Sequence, residues 1–184
     1  FGKWFGVGVD QGDIAAKWFS TVLDQPCRLV RITLEHDRDG WGEHPGKVGF
    51  ADAHATLVTA ESSLADLNRR IADRGADAIP MNRFRPNIVV SGWFDPYTED
   101  RMRVAAVGTV ELGYAVRAVR CAVPTVDQAT GRRAGVEPTR TLAGYRREPE
   151  FGGGVSFGVK AAVLTPGRIA VGDEITVRRW QVTG

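Results

Sequence analysis

The chain has 184 residues, of which 43% are hydrophobic, enough to fill the core of one ordinary domain. Its 24 Lys and Arg residues are nearly balanced by 22 Asp and Glu residues, and the net charge of +2 argues against a nucleic-acid or anionic-lipid partner. No apolar run reaches the roughly 18 residues that cross a bilayer, and residues 1–5 do not form a signal peptide, so we expect a cytoplasmic protein without a membrane span.

The first quarter of the chain predicts a helix, a strand and a long loop. Residues 10–13 offer N-terminal caps, and apolar residues then recur at helical spacing until shortly before Pro26. Residues 27–34 are rich in β-forming side chains and predict a strand. Residues 35–49 are charged and carry Gly and Pro, which indicates a mobile loop.

The next segment predicts a strand, a helix and a second strand. A short apolar strand over residues 55–58 precedes a helix whose apolar face runs to about Arg74. Residues 87–91 form another short apolar strand, and the basic turn at 81–86 lies at its entrance. Functional residues often lie on loops of this kind.

The second half of the chain is predominantly β in pattern. Residues 102–123 predict β structure with bends at Gly108 and Gly113, residues 139–146 predict a short helix, and residues 169–182 predict further β structure. Short strands separated by Gly turns, with two helices early in the chain, favour an α+β domain that is mainly β and barrel-like over a doubly wound sheet.

The sequence does not support two familiar kinds of site, a phosphate-binding loop and a hydrolase nucleophile. The glycines at 152–154 match neither of the glycine-rich phosphate-loop patterns, so they predict a flexible loop and no nucleotide site. The run Gly154-Val155-Ser156-Phe157-Gly158 has Gly-x-Ser-x-Gly spacing, but no convincing helix follows it, as a nucleophile elbow requires, so a hydrolase is not supported.

The two cysteines, Cys27 and Cys121, lie far apart in a chain without an export signal, so we predict free thiols. Cys121 follows Arg120 at the end of a β-forming run, and a cysteine becomes a good metal ligand or nucleophile where positive charge stabilises its thiolate. A buried, inert thiol is the alternative, because free cysteine often behaves as a small core residue. The residues themselves leave both interpretations open.

The basic turn contains Phe84-Arg85-Pro86-Asn87, which places a guanidinium and a carboxamide around a rigid proline. These groups suit a planar anionic or heterocyclic ligand that needs several directed hydrogen bonds. The alternative is a surface turn with a solvated arginine.

Several segments lie in an order that is typical of one known family: Phe-Ala-Asp (50–52), Ser-Leu-Ala-Asp-Leu-Asn (63–68), Asn-Arg-Phe-Arg-Pro-Asn-Ile-Val-Val-Ser-Gly (82–92), Arg-Cys (120–121), Thr-Val-Asp (125–127) and Pro-Gly-Arg-Ile-Ala-Val-Gly-Asp (166–173). Together they resemble the MOSC domain, the C-terminal domain of molybdenum cofactor sulfurases. Within that family they are most similar to the branch of the mitochondrial amidoxime-reducing component and its bacterial relatives.

The resemblance implies a MOSC-type, β-barrel-like domain over residues 27–184. Residues 1–26 would then be the end of the family's N-terminal region together with a linking helix. That region supplies basic residues to the cofactor phosphate, and since this chain starts after it, at Phe1 instead of Met, we expect a fragment of a longer protein.

The resemblance also assigns candidate site residues for a molybdenum pyranopterin cofactor. Cys121 would be the metal ligand and catalytic residue, and Arg85 and Asn87 would hold the pterin. Further cofactor contacts transfer by position to Ala53, His54, Val119, Arg120 and Lys160. Val119 could contribute only its backbone.

The function that the resemblance implies is the reduction of small N-hydroxylated compounds. Electrons would come from a separate haem or iron–sulfur protein, because the chain contains no cysteine spacing for a haem or cluster of its own. The main alternative is a non-catalytic carrier or binding module for molybdenum cofactor or sulfur. A third possibility is a β-domain whose cofactor site has decayed.

Overall fold

The structure, a computed structural model, describes residues 7–51 and 53–182 of the chain. Within these ranges the strands are β1 (Gly8–Asp10), β2 (Val30–Ile32), β3 (Thr56–Ala60), β4 (Ile88–Val90), β5 (Met102–Val107), β6 (Val110–Val119), β7 (Arg147–Glu148), β8 (Gly154–Thr165) and β9 (Ile175–Trp180). The α-helices are α1 (Asp13–Leu23), α2 (Glu61–Ala72) and α3 (Thr139–Leu142). Short 3-10 helices lie over Met81–Phe84, Thr98–Arg101, Val123–Thr125 and Pro149–Phe151.

Seven strands form one curled sheet, a half-barrel, in the order β4-β3-β8-β6-β5-β9, with β7 also paired to β8. Strands β3 and β4 run parallel, and the other pairs are antiparallel. The two longest strands, β6 and β8, pair at the centre, and β4 and β9 are the edges. Strands β1 and β2 form a separate antiparallel sheet.

Two clusters of buried apolar side chains hold the domain together. The first joins the strands of the curled sheet: Val58, Val90, Met102, Ala105, Val107, Val110, Leu112, Val159 and Ala161. The second packs α2, α3 and the basic turn against β8: Leu67, Ile71, Ile79, Phe84, Leu142, Val155 and Phe157. The rings of Phe84 and Phe157 stack with centroids 3.9 Å apart, so β8 positions the start of the Phe-Arg-Pro-Asn motif.

The structure confirms the predicted class, a mainly β domain with a few helices. The helix predicted after residues 10–13 is α1, but the predicted strand at 27–34 is reduced to the three residues of β2. The helix predicted over 139–146 ends at Leu142. The domain boundary at residue 26 stays a prediction, and residues 1–6 lie outside the described ranges.

The prediction for Gly154 was wrong, because this residue begins β8 instead of belonging to a flexible loop. Gly108 forms the turn between β5 and β6, and Gly113 lies inside β6 between two irregularities in its pairing with β8. A Cβ at Gly113 would lie 2.6 Å from the Cγ of His44, and one at Gly154 would lie 2.6 Å from a methyl carbon of Val119. These glycines permit close packing of neighbours, a role that has no signature in a single sequence.

Replacing Gly113 by Ala should therefore destabilise the domain. The added methyl displaces the His44 ring, whose Nδ1 donates to the carbonyl of Tyr114 at 2.8 Å, and overpacking of this kind costs about 1–3 kcal/mol. Gly49→Ala is the matched control, because its new methyl would meet its nearest neighbour, a methyl of Ile32, at an ordinary 3.7 Å. Urea denaturation measures both, and equal unfolding free energies for the two variants would contradict the packing role of Gly113.

The carboxyl group of Glu99 is buried and has no salt bridge with any of the described residues. Glu99 is fully buried, and its carboxyl group accepts hydrogen bonds from the Ser63 hydroxyl at 2.8 Å and from the Ala60 amide at 3.3 Å. Burial raises the pKa of Glu99 above its ordinary value. The neutral, protonated form of Glu99 is thus the one that suits the folded protein.

The raised pKa makes the stability of the domain depend on pH with a definite sign. A group whose pKa is higher in the folded state stabilises the fold at pH below its unfolded value and loses that contribution as pH rises through its folded value. We expect Glu99→Gln, a permanently neutral variant, to show less loss of unfolding free energy between pH about 4 and about 8 than the wild type. Exposed Glu150→Gln is the control, and an unchanged pH profile for Glu99→Gln would disprove the assignment.

Candidate functional site

The loop that carries Cys121 continues directly from the end of β6. The amide of Arg120 donates to the carbonyl of Val155 on β8 at 2.8 Å, which extends the strand pairing by one residue beyond Val119. Cys121 then leaves the sheet, with an exposed side chain, and the 3-10 helix at 123–125 follows. The thiol is therefore held at a strand end and open to solvent, as a ligand would need.

The basic turn lies against the Cys121 loop. Its 3-10 helix at 81–84 ends in Arg85, which adopts a left-handed backbone with φ of 53° and has an exposed side chain. Arg83 is buried: its Nη1 donates to the carbonyl of Pro124 at 3.3 Å, and its Nη2 lies 3.8 Å from a carboxylate oxygen of Asp127. Arg83 thus ties the two motifs together.

Arg120 forms a second link between the motifs. Its Nη2 donates to the carbonyl of Phe84 at 2.8 Å, and its buried Nε has no hydrogen-bond partner among the described residues. Burial lowers the pKa of the Arg120 guanidinium; the Cys121 thiol opposes this shift and the Arg85 cation adds to it. Arg85, Arg120 and Cys121 are therefore neighbours in one electrostatic environment.

Asn87 anchors the far end of the turn to the sheet. The carboxamide oxygen of Asn87 accepts from the backbone amide of Leu57 at 2.8 Å. The backbone amide of Asn87 donates to the carbonyl of Leu57 at 3.0 Å. Leu57 pairs in register with Lys160 on β8, so Asn87 and Lys160 lie on either side of the same β3 residue. The Nδ2 group of Asn87 remains as the donor that a ligand could use.

A buried histidine lies on the segment that enters β3. The Nε2 of His54 donates to the carbonyl of Trp41, so its Nδ1 is an acceptor, and that Nδ1 is buried without a partner among the described residues. Burial lowers the pKa of His54. The hydrogen bond to Trp41 opposes this shift, and the charge of Lys160 adds to it. The ammonium of Lys160 lies 6.0 Å from the Trp41 ring centroid, and the preceding Ala53 turns its carbonyl toward Gly40. The imidazole is thus held neutral with an unused acceptor.

The predicted site residues fall into two groups connected through Asn87. Cys121, Arg120 and Arg85 lie together at the Cys121 loop, and His54 and Lys160 lie near Trp41. Val119 packs its side chain on Gly154, which leaves only its backbone for a ligand. The roles of all these residues toward a cofactor stay predictions.

A pocket of about 460 Å³ lies between the basic turn and the segment that follows the Cys121 loop. Its lining includes Arg85, Pro86 and Val89 from the turn side and Gln128 from the loop side. A pocket of this size falls in the range of small-ligand sites. It places the exposed Arg85 side chain at its wall.

Sequence reasoning missed two contributors to this arrangement, Arg83 and Trp41, and it placed a third residue wrongly. Arg83 lies within the recognisable basic segment, but its burial has no sequence signal. Trp41 lies in a loop and contacts His54 only through tertiary folding. Arg117, which precedes Cys121 closely enough to be considered as its cation, instead bonds Glu148 at 3.1 Å and lies 3.4 Å from Asp100.

Among the residues at 7–51 and 53–182, no group of three or more His, Cys, Asp or Glu side chains could hold a metal ion. Within the described ranges, Cys121 is therefore not part of a set of three or more such protein ligands. The resemblance implies that Cys121 is a single protein ligand and that a cofactor provides the others.

Asn87 and Arg85 should differ in what they contribute to stability. Asn87→Ala leaves the amide of Leu57 without its acceptor, so we expect a loss of about 1–2 kcal/mol in unfolding free energy. Arg85→Ala removes an exposed side chain and should change stability by no more than about 0.5 kcal/mol. Denaturation of both variants tests this, and equal losses would show that Asn87 does not anchor the turn.

Comparison with known proteins settles the family. Residues 45–176 match the MOSC domain. The chain belongs to the MOSC domain family. The strand-end Cys121 and the turn at 84–87 both lie within the matched range.

The relatives that the chain matches are longer than the chain itself. The chain is 34% identical over 180 residues to mitochondrial amidoxime-reducing component 1 of Homo sapiens, covering 91% of this chain and 52% of that protein. It is 31% identical over 183 residues to molybdenum cofactor sulfurase of Oryza sativa subsp. japonica, covering 91% of this chain and 21% of that protein. The chain thus spans about half the length of the first relative and a fifth of the second.

The chain was also compared with a solved structure of low sequence identity. The crystal structure of YiiM from Geobacillus stearothermophilus overlaps with a TM-score of 0.48 and 13% identity, covering 94% of this chain and 72% of that chain. A likeness at this level carries no argument about the site.

Across residues 7–51 and 53–182, every helix is too short or too polar to cross a membrane. The mitochondrial location in the relatives' names belongs to those proteins. The cytoplasmic location expected from the sequence stays a prediction.

Proposed function

We propose that this MOSC domain binds a molybdenum pyranopterin cofactor and contributes to an enzyme that reduces small N-hydroxylated compounds, with Cys121 as the metal ligand. The observation that carries the proposal is the exposed strand-end thiol of Cys121 beside Arg120 and Arg85. The relatives named amidoxime-reducing components and molybdenum cofactor sulfurases support it.

The residues present fit the chemistry of this cofactor. A pyranopterin offers ring N–H donors and an anionic phosphate, and the site offers an unused buried acceptor at His54 and guanidinium donors at Arg85 and Arg120. The unpartnered Nε atoms of Arg83 and Arg120 are buried donors that a ligand could satisfy. Cys121 would add one protein thiolate to the sulfurs that the pterin would provide to the metal.

Each residue would have a distinct task. The thiolate of Cys121 would bind the metal, with its charge balanced by Arg120 and Arg85. Arg85 would hold an anionic group, and the Nδ2 of Asn87 would donate to a ring heteroatom. Because burial keeps His54 neutral, its Nδ1 would remain an acceptor at neutral pH. Lys160, on the other side of Leu57 from Asn87, would contribute positive charge at the far end of the site.

When bound, the cofactor supplies a two-electron reduction of an N–OH group, which consumes two protons and yields the N–H compound and water. The electrons would come from a separate haem or iron–sulfur protein. The sequence supports this requirement, because Cys27 and Cys121 are its only cysteines and cannot hold an iron–sulfur cluster.

A second candidate function is the carriage of sulfur or cofactor without reduction. The exposure of Cys121 favours it, because an accessible thiolate could hold a persulfide sulfur. Oxidation of a reduced electron donor that depends on an N-hydroxylated substrate distinguishes the two: its presence supports the reductase, and its absence in a molybdenum-loaded protein supports the carrier.

Replacing Cys121 by Ser should abolish reduction of an N-hydroxylated substrate while pterin stays largely bound, because the hydroxyl is a poor replacement for a thiolate ligand. The measurements are turnover, molybdenum content and pterin fluorescence on the full-length protein. Cys27→Ser is the matched control and should keep activity. The backbone amide of Cys27 donates to the Ser20 hydroxyl at 3.0 Å, and the variant keeps this bond. Full activity with normal molybdenum in Cys121→Ser would disprove the assignment.

Arg85→Ala, which should fold normally, provides a second arm of the same experiment. We expect lower cofactor occupancy, because the variant removes the exposed cation of the pocket. Unchanged occupancy would mean that Arg85 is a solvated surface residue.

A further inference from the structure

A second and larger cavity lies where the half-barrel is open. It has a volume of about 930 Å³ and lies between edge strand β4 with the residues that follow it and the loop that leads into β9. We call this cavity the seam groove; its lining consists of Glu61, residues 87–93, Val107 and residues 169–175. Its size is that of a small-molecule site.

The seam groove has acidic walls. Glu61, Asp173 and Glu174 belong to its lining, and none of the Lys and Arg residues in the described ranges does. Asp173 accepts a hydrogen bond from the amide of Ala170 at 2.8 Å. Glu61 and Glu174 form no salt bridge with any residue in the described ranges, so both carboxylates are available to a ligand.

Apolar and aromatic groups complete the lining. Trp93 is half-buried and packs against Trp180 with ring centroids 6.4 Å apart, so its indole is held in place. Ile88 and Val107 add apolar surface from the core of the sheet. An aromatic ring together with carboxylates favours organic cations, through cation–π attraction and charge pairing, while apolar walls favour an apolar body.

The seam groove adjoins the proposed cofactor site but has the opposite charge. Val89 lines both the seam groove and the pocket that contains Arg85, and Asn87 lies in the groove wall. An anionic cofactor group and a cationic ligand would each find complementary charge on their own side of Val89. The groove and the pocket therefore favour ligands of opposite charge.

We infer that the seam groove binds a small organic cation with an apolar body, such as an aryl-alkyl amine. Glu61 and Glu174 pair with the cationic group, and Trp93 with the apolar walls holds the body. Binding requires no metal and no redox step, so the inference goes beyond the proposed reductase function.

The test is calorimetric titration of the full-length protein with benzylamine, which is cationic at neutral pH. Benzyl alcohol and benzoate serve as the neutral and anionic probes of similar shape. We expect benzylamine to bind most tightly and to weaken with added salt. Equal affinity for the three probes, or no detectable binding of benzylamine, would overturn the inference.

The double variant Glu61→Gln with Glu174→Gln should weaken benzylamine by about tenfold, the loss expected for two partly exposed charge contacts. Both side chains are exposed, so the variant should fold, and thermal denaturation checks this. Glu150→Gln, outside the groove lining, is the matched control and should bind as the wild type does. An unchanged affinity in a folded double variant would also overturn the inference.

Failure of this inference is distinguishable from failure of the reductase proposal. Cys121→Ser should bind benzylamine as tightly as the wild type, because the thiol lies outside the seam groove. Loss of benzylamine binding in Cys121→Ser would count against a separate groove site, whatever its effect on turnover.

Discussion

The antiparallel pairing of β6 with β8 is the constraint on which both the fold and the candidate site depend. The amide of Arg120 bonds to Val155, so the pairing holds the strand end from which Cys121 projects. Further along β8, Phe157 stacks on Phe84 and sets the position of the basic turn. Lys160 lies beyond it on the same strand. Strand β8 therefore positions the Cys121 loop, the basic turn and Lys160, which lie far apart in the sequence.

A network of charges, buried except for the half-exposed Arg117, supports this pairing. Arg117 on β6 and Arg146 both reach the carboxylate of Asp100, and Arg117 also binds Glu148. The hydroxyl of Ser156 on β8 donates to Glu148, so the network joins both central strands. Buried ions are costly unless they are paired, and a one-residue slip of either strand would leave these unpaired. We infer that the network stabilises one register of β6 on β8, and so one position for the thiol.

The polar groups at the site contrast with that network. Each charge in the network has its partners, whereas the Nδ1 of His54 and the Nε atoms of Arg83 and Arg120 have none among the described residues. Buried polar atoms without partners are uncommon, because each loses its hydrogen bonds to water. The two Nε atoms lie where the basic turn meets the Cys121 loop, and His54 lies near Trp41; both places therefore have hydrogen-bonding capacity that a ligand could use.

Much of the fold and part of the site could be predicted from the sequence. The helical spacing after residues 10–13, the apolar run at 87–91 and the strand leading to Cys121 are local patterns, and each corresponds to an element of the structure. Sequence also determined the chemistry available at the site: one thiol beside an arginine, and a guanidinium and a carboxamide around a proline. The tertiary structure alone decided that Gly154 begins the central strand, because a glycine chosen for close packing has the same local signature as one in a loop. It also decided that Arg117 faces Asp100 while Arg120 stays near Cys121, since the direction of a side chain depends on partners that are far away in the chain.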